Sequence, residues 1–516
     1  MATAGAVQAA LARSGELALL DVREQGVHYR GHPFFACSAP LSRLELLVGD
    51  LVPRRRAPVV VLDGGAEGLA ALAAERLAAL GYVDVAVLEG GCASWEAVGG
   101  ELFSGVNVPS KAFGEFVEHE HDTPRIPPEE LKRLKDENRK LLILDSRPFE
   151  EYHRMNIPGG IDVPGAELVW RVHDLAPDPD TLVVVNCAGR TRSIIGCQSL
   201  RNAGLVNRVV ALKDGTMGWD LAGFDCERGA NRVAPAPSGE GRRKARAAAE
   251  QVAARFAVRF TQAKEILGWK NEGSRTLYLL DVRTREEFEQ SHVAGSRHAP
   301  GGQLVQASDE YVAVRNARVV LIDPERVRAV MTASWLQQMG WNDVYVLDDP
   351  GDLPLESGPR RSLAVKNWNI LVSPQAVAGT VLDLSTSLRF HHAHIPGAWW
   401  GVRSRLDEAR EKIGLASSLV LTSEDGLLAH LAAPEAAALW RDAQVSVLEG
   451  GNAAWLASGR PTEGGVERAT TTRDDVWYKP YDHASDYKKH ARDYLAWEVA
   501  LLDQVKRDPN IRFRTY

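Results

Sequence analysis

The chain reads as an α/β protein of four repeated units, each a mostly parallel sheet flanked by helices, followed by a helical tail. Three observations predict this. Short runs of Val, Leu and Ile, bounded by Gly, Asp and Asn, alternate with helix-like segments, as parallel strands covered on both faces do. An apolar strand ending in aspartate recurs at Leu19-Leu20-Asp21, Ile143-Leu144-Asp145, Leu279-Leu280-Asp281 and Val381-Leu382-Asp383. A second apolar strand follows at a fixed interval: the step from Asp145 to Cys187 is repeated from Asp21 to Asp63 and from Asp281 to Asp323. It is one residue shorter from Asp383 to Glu424. Trp95, Trp219 and Trp455 then follow glycine-containing turns at matching distances. Periodicity on this scale marks homologous units.

The first unit takes residues 1–120, its amino-terminal segment reading as a helix. Pro124, Pro127 and Pro128 mark the break into the second, 121–235. There the pattern predicts strands Leu141–Leu144 and Thr181–Asn186, a helix from about Thr191 to Ala203, and a strand Arg208–Leu212. A stretch rich in Pro, Gly and charge, Asn231–Ala245, predicts a linker over 236–250. The third and fourth units occupy 251–363 and 364–470, meeting near Gly358–Lys366. Residues 471–516 belong to no repeat, and their aromatic and charged pattern predicts an amphipathic helix within Asp482–Val505. This tail is expected to pack across the units, with a homodimer contact as its alternative role.

Composition narrows the function classes. A net charge of -7 gives no general attraction to nucleic acid. No apolar run approaches the ~18 residues that cross a bilayer, and the start of the chain lacks the basic and apolar pattern of a secretory signal. Five cysteines, odd in number and without CxxC spacing, argue against a disulfide framework or zinc site and for a reducing, cytoplasmic setting. No metal or cofactor is expected.

The chemistry points to Cys187, in Asn186-Cys187-Ala188-Gly189-Arg190-Thr191-Arg192. A strand runs into a short polar loop and then a helix, so backbone N–H groups of Ala188 to Arg192 form an anion nest at the helix start. Arg190 and Arg192 add charge, which favours the thiolate and suits them as substrate anchors. Gly189 is expected to permit a tight turn around the sulfur. Cys37, Cys92 and Cys197 lack such a loop and read as packing residues, whereas Cys226, close behind Trp219, has a lesser claim to a relay role.

At these motifs the chain resembles the tandem rhodanese-like sulfurtransferases, over roughly residues 1–470. Asp145-Ser146-Arg147, Glu150-Glu151-Tyr152 and Ile157-Pro158-Gly159-Gly160 resemble family elements, as do Asp281-Val282-Arg283 with His292-Val293-Ala294-Gly295, and His394-Ile395-Pro396-Gly397-Ala398. Asn156 stands where the family usually has histidine. The resemblance implies covalent catalysis in which Cys187 takes a sulfane sulfur from an anionic donor, thiosulfate or a thiol persulfide, and passes it to a thiol, a protein acceptor or cyanide. Asp145, Arg147 and Trp219 recur in other units and read as structural support. Asp63, Asp323 and Glu424 cannot carry sulfur, so units one, three and four read as inactive supports capped by carboxylates. Two other readings stand beside this one: a related cysteine phosphatase, whose Cys-x5-Arg loop would need arginine where Ser193 stands, and a largely non-catalytic scaffold.

Overall fold

The computed structural model describes residues 1–360, 365–483 and 485–516. The expected boundary at 363/364 lies outside the described residues. Units two, three and four share one strand order, seen in the second as Arg125–Ile126, Val209–Leu212, Leu182–Asn186, Leu141–Asp145 and Ile161–Asp162, all parallel. In unit one the outer strand shrinks to a single bridge between Ala2 and Leu88. Its central strand Leu17–Asp21 gains an antiparallel neighbour, Val314–Arg315, from unit three. Helices cover both faces, so Val183, Val184 and Val185 are wholly buried in succession, which explains their unbroken apolar run.

Units one to three share one apolar core, in which Phe113, Val185 and Trp335 belong to the same cluster. Unit four keeps separate cores and meets unit one partly through charge, with Arg403 on Glu45 at 2.9 Å and Arg76 on Glu435 at 2.9 Å.

The linker expectation fails over 236–250. Most of that stretch is the helix Gly239–Arg255, capped by Ser238, whose Oγ accepts from the Gly241 N–H at 3.0 Å. Its buried face is Ala245, Ala248, Ala249 and Val252, small enough to seat between helix Glu167–Leu175 of unit two and helix Val327–Gln338 of unit three. Pro235 and Pro237 end the preceding segment and obscured that alanine stripe.

The tail helix runs Tyr487–Val505 and lies against helix Val108–His121, which joins units one and two. Trp497 Nε1 donates to the Ser104 carbonyl at 3.0 Å. Its ring sits where a Cβ on Gly105, at φ 98°, would come within 2.1 Å, so only glycine fits. Further on, Arg514 N–H donates to the Gln338 carbonyl of unit three at 2.8 Å. Thr191 of unit two meets the tail at Glu498, and in unit four the Ser387 N–H donates to Asp475 at 2.8 Å, so the tail packs across all four units. Among the described residues no helix is long and apolar enough to cross a membrane.

Candidate active site

Cys187 follows the last residue of strand Leu182–Asn186 and is 2% exposed. Its neighbours fix its height above the sheet. Asn186 donates to Asp145 Oδ2 at 3.1 Å and to Thr216 Oγ1 at 3.0 Å, while the Thr216 hydroxyl and N–H both donate to the Cys187 carbonyl, at 3.0 and 2.8 Å. Gly215 has φ 57°, and a Cβ there would lie 2.4 Å from that carbonyl oxygen, so the turn closing on the cysteine demands glycine. The sulfur is 3.5 Å from Ser193 Oγ, which donates to the Arg190 carbonyl at 2.8 Å.

The nest is open in this unit. Among the described residues, no protein acceptor takes the backbone N–H groups of Ala188 to Arg192, and the helix Thr191–Asn202 begins there. The other units fill the same place with their own side chains. Asp63 accepts from the N–H of Gly65 at 2.8 Å and of Ala70 at 3.0 Å. Asp323 accepts from Glu325 at 3.2 Å and Arg328 at 2.8 Å.

Unit four corrects the sequence register. Asp383 pairs with Thr422 as Asp145 pairs with Asn186, so the match to Cys187 is Ser423, not Glu424. Ser423 Oγ accepts from Ala429 N–H at 3.3 Å, and Glu424 turns to the N–H of Thr386. The Asn and Thr of the support network are exchanged: Asn452 donates to Asp383 at 2.9 Å and Thr422 donates to Asn452 at 2.8 Å. Matching acidic residues across the loop misled because backbone pairing, not side-chain type, sets the equivalence.

The two arginines have different surroundings. Arg190 is buried, and all its side-chain nitrogens are engaged: Nε and Nη2 with Glu115 at 2.7 Å each, Nη2 with Glu118, and Nη1 with Asp214 at 3.1 Å. It ties the cysteine loop to helix Val108–His121, an arrangement at odds with a free substrate anchor. Arg192 donates to Glu151 at 2.8 and 3.1 Å and to Gln303 of unit three at 3.4 Å. Burial raises the Glu151 carboxyl, but Arg192 outweighs it and holds the group down at about 2. Burial disfavours the charge on Arg192, but Glu151 outweighs it and keeps the guanidinium protonated. The cysteine loop thus meets Gln303 of unit three on one side and Glu115 and Glu118 of helix Val108–His121 on the other.

The tail supplies a third wall. Glu498 is fully buried, and its Oε1 accepts from Lys111 at 2.8 Å, Tyr494 at 3.0 Å and Thr191 of the cysteine loop at 3.3 Å. Its Oε2 has no partner among the described residues and lies 3.2 Å from where a Cβ on Gly189 would be. Gly189 does not adopt positive φ, so the expected tight turn is not its reason. It is glycine where the tail comes close. Burial, reinforced by Glu498, pushes the Tyr494 phenol well above its ordinary range.

The supporting residues behave alike from unit to unit. Arg147 pairs with Asp145 at 2.7 Å and reaches the Met155 carbonyl, as Arg23 does with Asp21 and Gly31, and Arg283 with Asp281 and Ser291. Trp219, Trp95 and Trp455 are buried and donate to the carbonyls of Asp225, Glu101 and Pro461. Asn156 Nδ2 donates to the carbonyl four residues back, Tyr152, at 3.2 Å, replacing the bond that His292 and His394 make to Phe288 and Phe390. Cys92 and Cys197 are buried thiols pushed up to about 12, and burial raises Cys37 further still. Cys226 is half-buried and pushed up to about 11. Glu115, Glu118, Gln303 and Glu498 escaped the sequence reading, and Glu151 was legible only as part of a family motif, for all five reach the loop from other elements. The tail's acid and aromatic content outside any repeat was the one available signal.

Comparison with known proteins agrees with this fold. The rhodanese-like domain model matches residues 3–98, 127–222 and 261–349. The crystal structure of a thiosulfate sulfurtransferase from Pseudomonas aeruginosa is 48% identical and superposes with a TM-score of 0.94, covering 100% of this chain and 99% of that one. Shorter likenesses occur with an HTH-type transcriptional regulator, Rv0324, of Mycobacterium tuberculosis (37% identical over 92 residues, 18% of this chain) and a putative sulfur carrier protein, YrkF, of Bacillus subtilis (25% over 134 residues, 24% of this chain). The matches span 39% and 71% of those two proteins.

Proposed function

The chain belongs to the rhodanese-like domain family, and from that premise we propose that it is a sulfurtransferase with one transfer site, Cys187. The observation that carries this is the open nest around Cys187 beside the self-filled nests of Asp63 and Asp323. In the first step the Cys187 thiolate attacks the outer sulfur of a donor such as thiosulfate. The S–S bond breaks, sulfite leaves with the bonding pair, and Cys187 carries a persulfide. An acceptor, a thiolate or cyanide, then attacks the outer sulfur and Cys187 departs as thiolate. The N–H groups of Ala188 to Arg192 hold the negative charge that sits on the outer sulfur between the steps. Arg192, held by Glu151, supplies positive charge near the sulfur, and Arg190 fixes the loop through Glu115 and Glu118. Thiosulfate as a donor rests on the name of the Pseudomonas relative.

The phosphatase reading is weaker, because Ser193 stands where its loop needs arginine and hydrogen-bonds within its own loop. The test is a single-turnover assay with excess thiosulfate and no acceptor. One sulfite released per chain, lost in Cys187→Ser, with no hydrolysis of an aryl phosphate, is expected. Phosphate release without sulfite would reverse the choice.

A further inference from the structure

Cys187 is 2% exposed although its backbone nest is open, and much of the cover comes from outside unit two. Gly189 lies under the tail: a Cβ there would be 3.2 Å from Glu498 Oε2, 3.4 Å from the Tyr494 ring and 3.5 Å from Leu495 Cδ2. Arg190 is clasped by Glu115 of helix Val108–His121. Thr191 touches the same helix at Gly114, where a Cβ would come within 2.8 Å of its Cγ2. Arg192 reaches Gln303 of unit three. Ala188 and Arg192 are the half-buried members of the loop, so the approach to the sulfur runs past these two and along the tail.

The tail wall is fixed at one residue and uncommitted at the next. Tyr494 donates to Glu498 at 3.0 Å, and its ring packs against Trp477 and Trp497 with centroids 5.7 and 5.4 Å away. Burial and Glu498 govern its phenol, and the Cys187 charge adds to them, so ring and sulfur stand within electrostatic reach of each other. Leu495 is half-buried and reaches over Gly189. Among the described residues it belongs to no apolar core, whereas Leu501 and Val505 anchor the same helix in one. An apolar side chain set over a polar loop, outside any core, contributes bulk where it stands.

We propose that the tail is a size filter on the transfer site, with Tyr494 and Leu495 restricting the sulfur donor and acceptor to compact molecules and turning away thiols carried on peptides or proteins. The filter rests on the sulfurtransferase reading and names the class of partner that reading leaves open. It acts at both steps, because each nucleophile must meet a sulfur–sulfur bond in line. A compact acceptor approaches beside Ala188. A peptide-borne thiol would have to lift the tail helix, which Leu501, Val505 and the buried Lys111–Glu498 pair at 2.8 Å hold down.

The test loads the full chain with thiosulfate and discharges it to two thiols that share a reacting group and differ in size, 2-mercaptoethanol and glutathione. The quantity read is the ratio of kcat/KM for glutathione to that for 2-mercaptoethanol. Leu495→Ala is expected to raise this ratio about fivefold, and Leu495→Trp to lower it in similar measure. A ratio that neither substitution moves, or that Leu495→Ala lowers, while thiocyanate still forms from cyanide, overturns the filter and leaves the sulfurtransferase reading standing. Failure of the unaltered protein to release sulfite from thiosulfate removes that reading, and the filter with it.

Discussion

Unit two and unit three are built on the same strand order, yet one presents an open nest around a cysteine and the other closes it with an aspartate. In unit three, Asp323 spends both oxygens on its own loop N–H groups and also pairs with the buried Arg328 at 2.9 Å. In unit two the cysteine leaves those donors unclaimed, and the stabilising contacts come from outside: Glu115 and Glu118 on Arg190, Glu151 on Arg192, Glu498 on Thr191. A loop that must receive an anion cannot supply its own. The open loop is instead held in place by carboxylates drawn from the connecting helix, from helix Phe149–Arg154 and from the tail.

The sharpest way to break this comparison is Cys187→Ser, expected to lower transfer at least about a thousandfold, measured as thiocyanate formed from thiosulfate and cyanide. Residual turnover above that level would mean another unit carries sulfur. Asp323→Ala should act in the opposite sense. It leaves two loop N–H groups and part of the Arg328 charge without their partner, costing about 2 kcal/mol in denaturant unfolding while kcat holds. A collapse of kcat without loss of stability would give unit three a chemical role.

A finer contrast lies in the neighbouring strand. Asp162 of unit two pairs in register with Asp145, where unit four has Trp400 beside Asp383. Burial, and then the Asp145 charge, push the Asp162 carboxyl up to about 7. A folded-state value above the unfolded one means the folded protein holds the extra proton, so this contribution is present at low pH and is lost as pH rises from about 4 to about 7. Asp162→Asn should flatten that part of the stability profile, and an unchanged slope would contradict the assignment. The smallest effect is expected from Gly189→Ala, whose Cβ would meet Glu498 and the Tyr494 ring at 3.2 and 3.4 Å. A few-fold rise in KM with unaltered stability would follow from slight displacement of the tail.

The sequence made the sheets and Cys187 legible because both depend on local pattern: buried strands leave unbroken apolar runs, and the repeats expose the one position that differs. Arg190 was legible as a charge but not as a clamp, since Glu115 and Glu118 reach it from a different element. Gly189 was marked for a turn it does not make, because glycine also serves where another segment approaches. Ser423 was missed for Glu424 since only strand pairing fixes the register. The helix Gly239–Arg255 hid behind two prolines and a run of charge, although its alanine face packs between two units.

The central claim is that only one of the four loops holds sulfur. The direct test is to incubate the full chain with thiosulfate labelled at its outer sulfur, digest it without reductant, and locate the label by peptide mass analysis. All of it on the peptide that contains Cys187 is the predicted result. Label on Cys92 or Cys226 in place of Cys187, or none on any cysteine, would contradict the account.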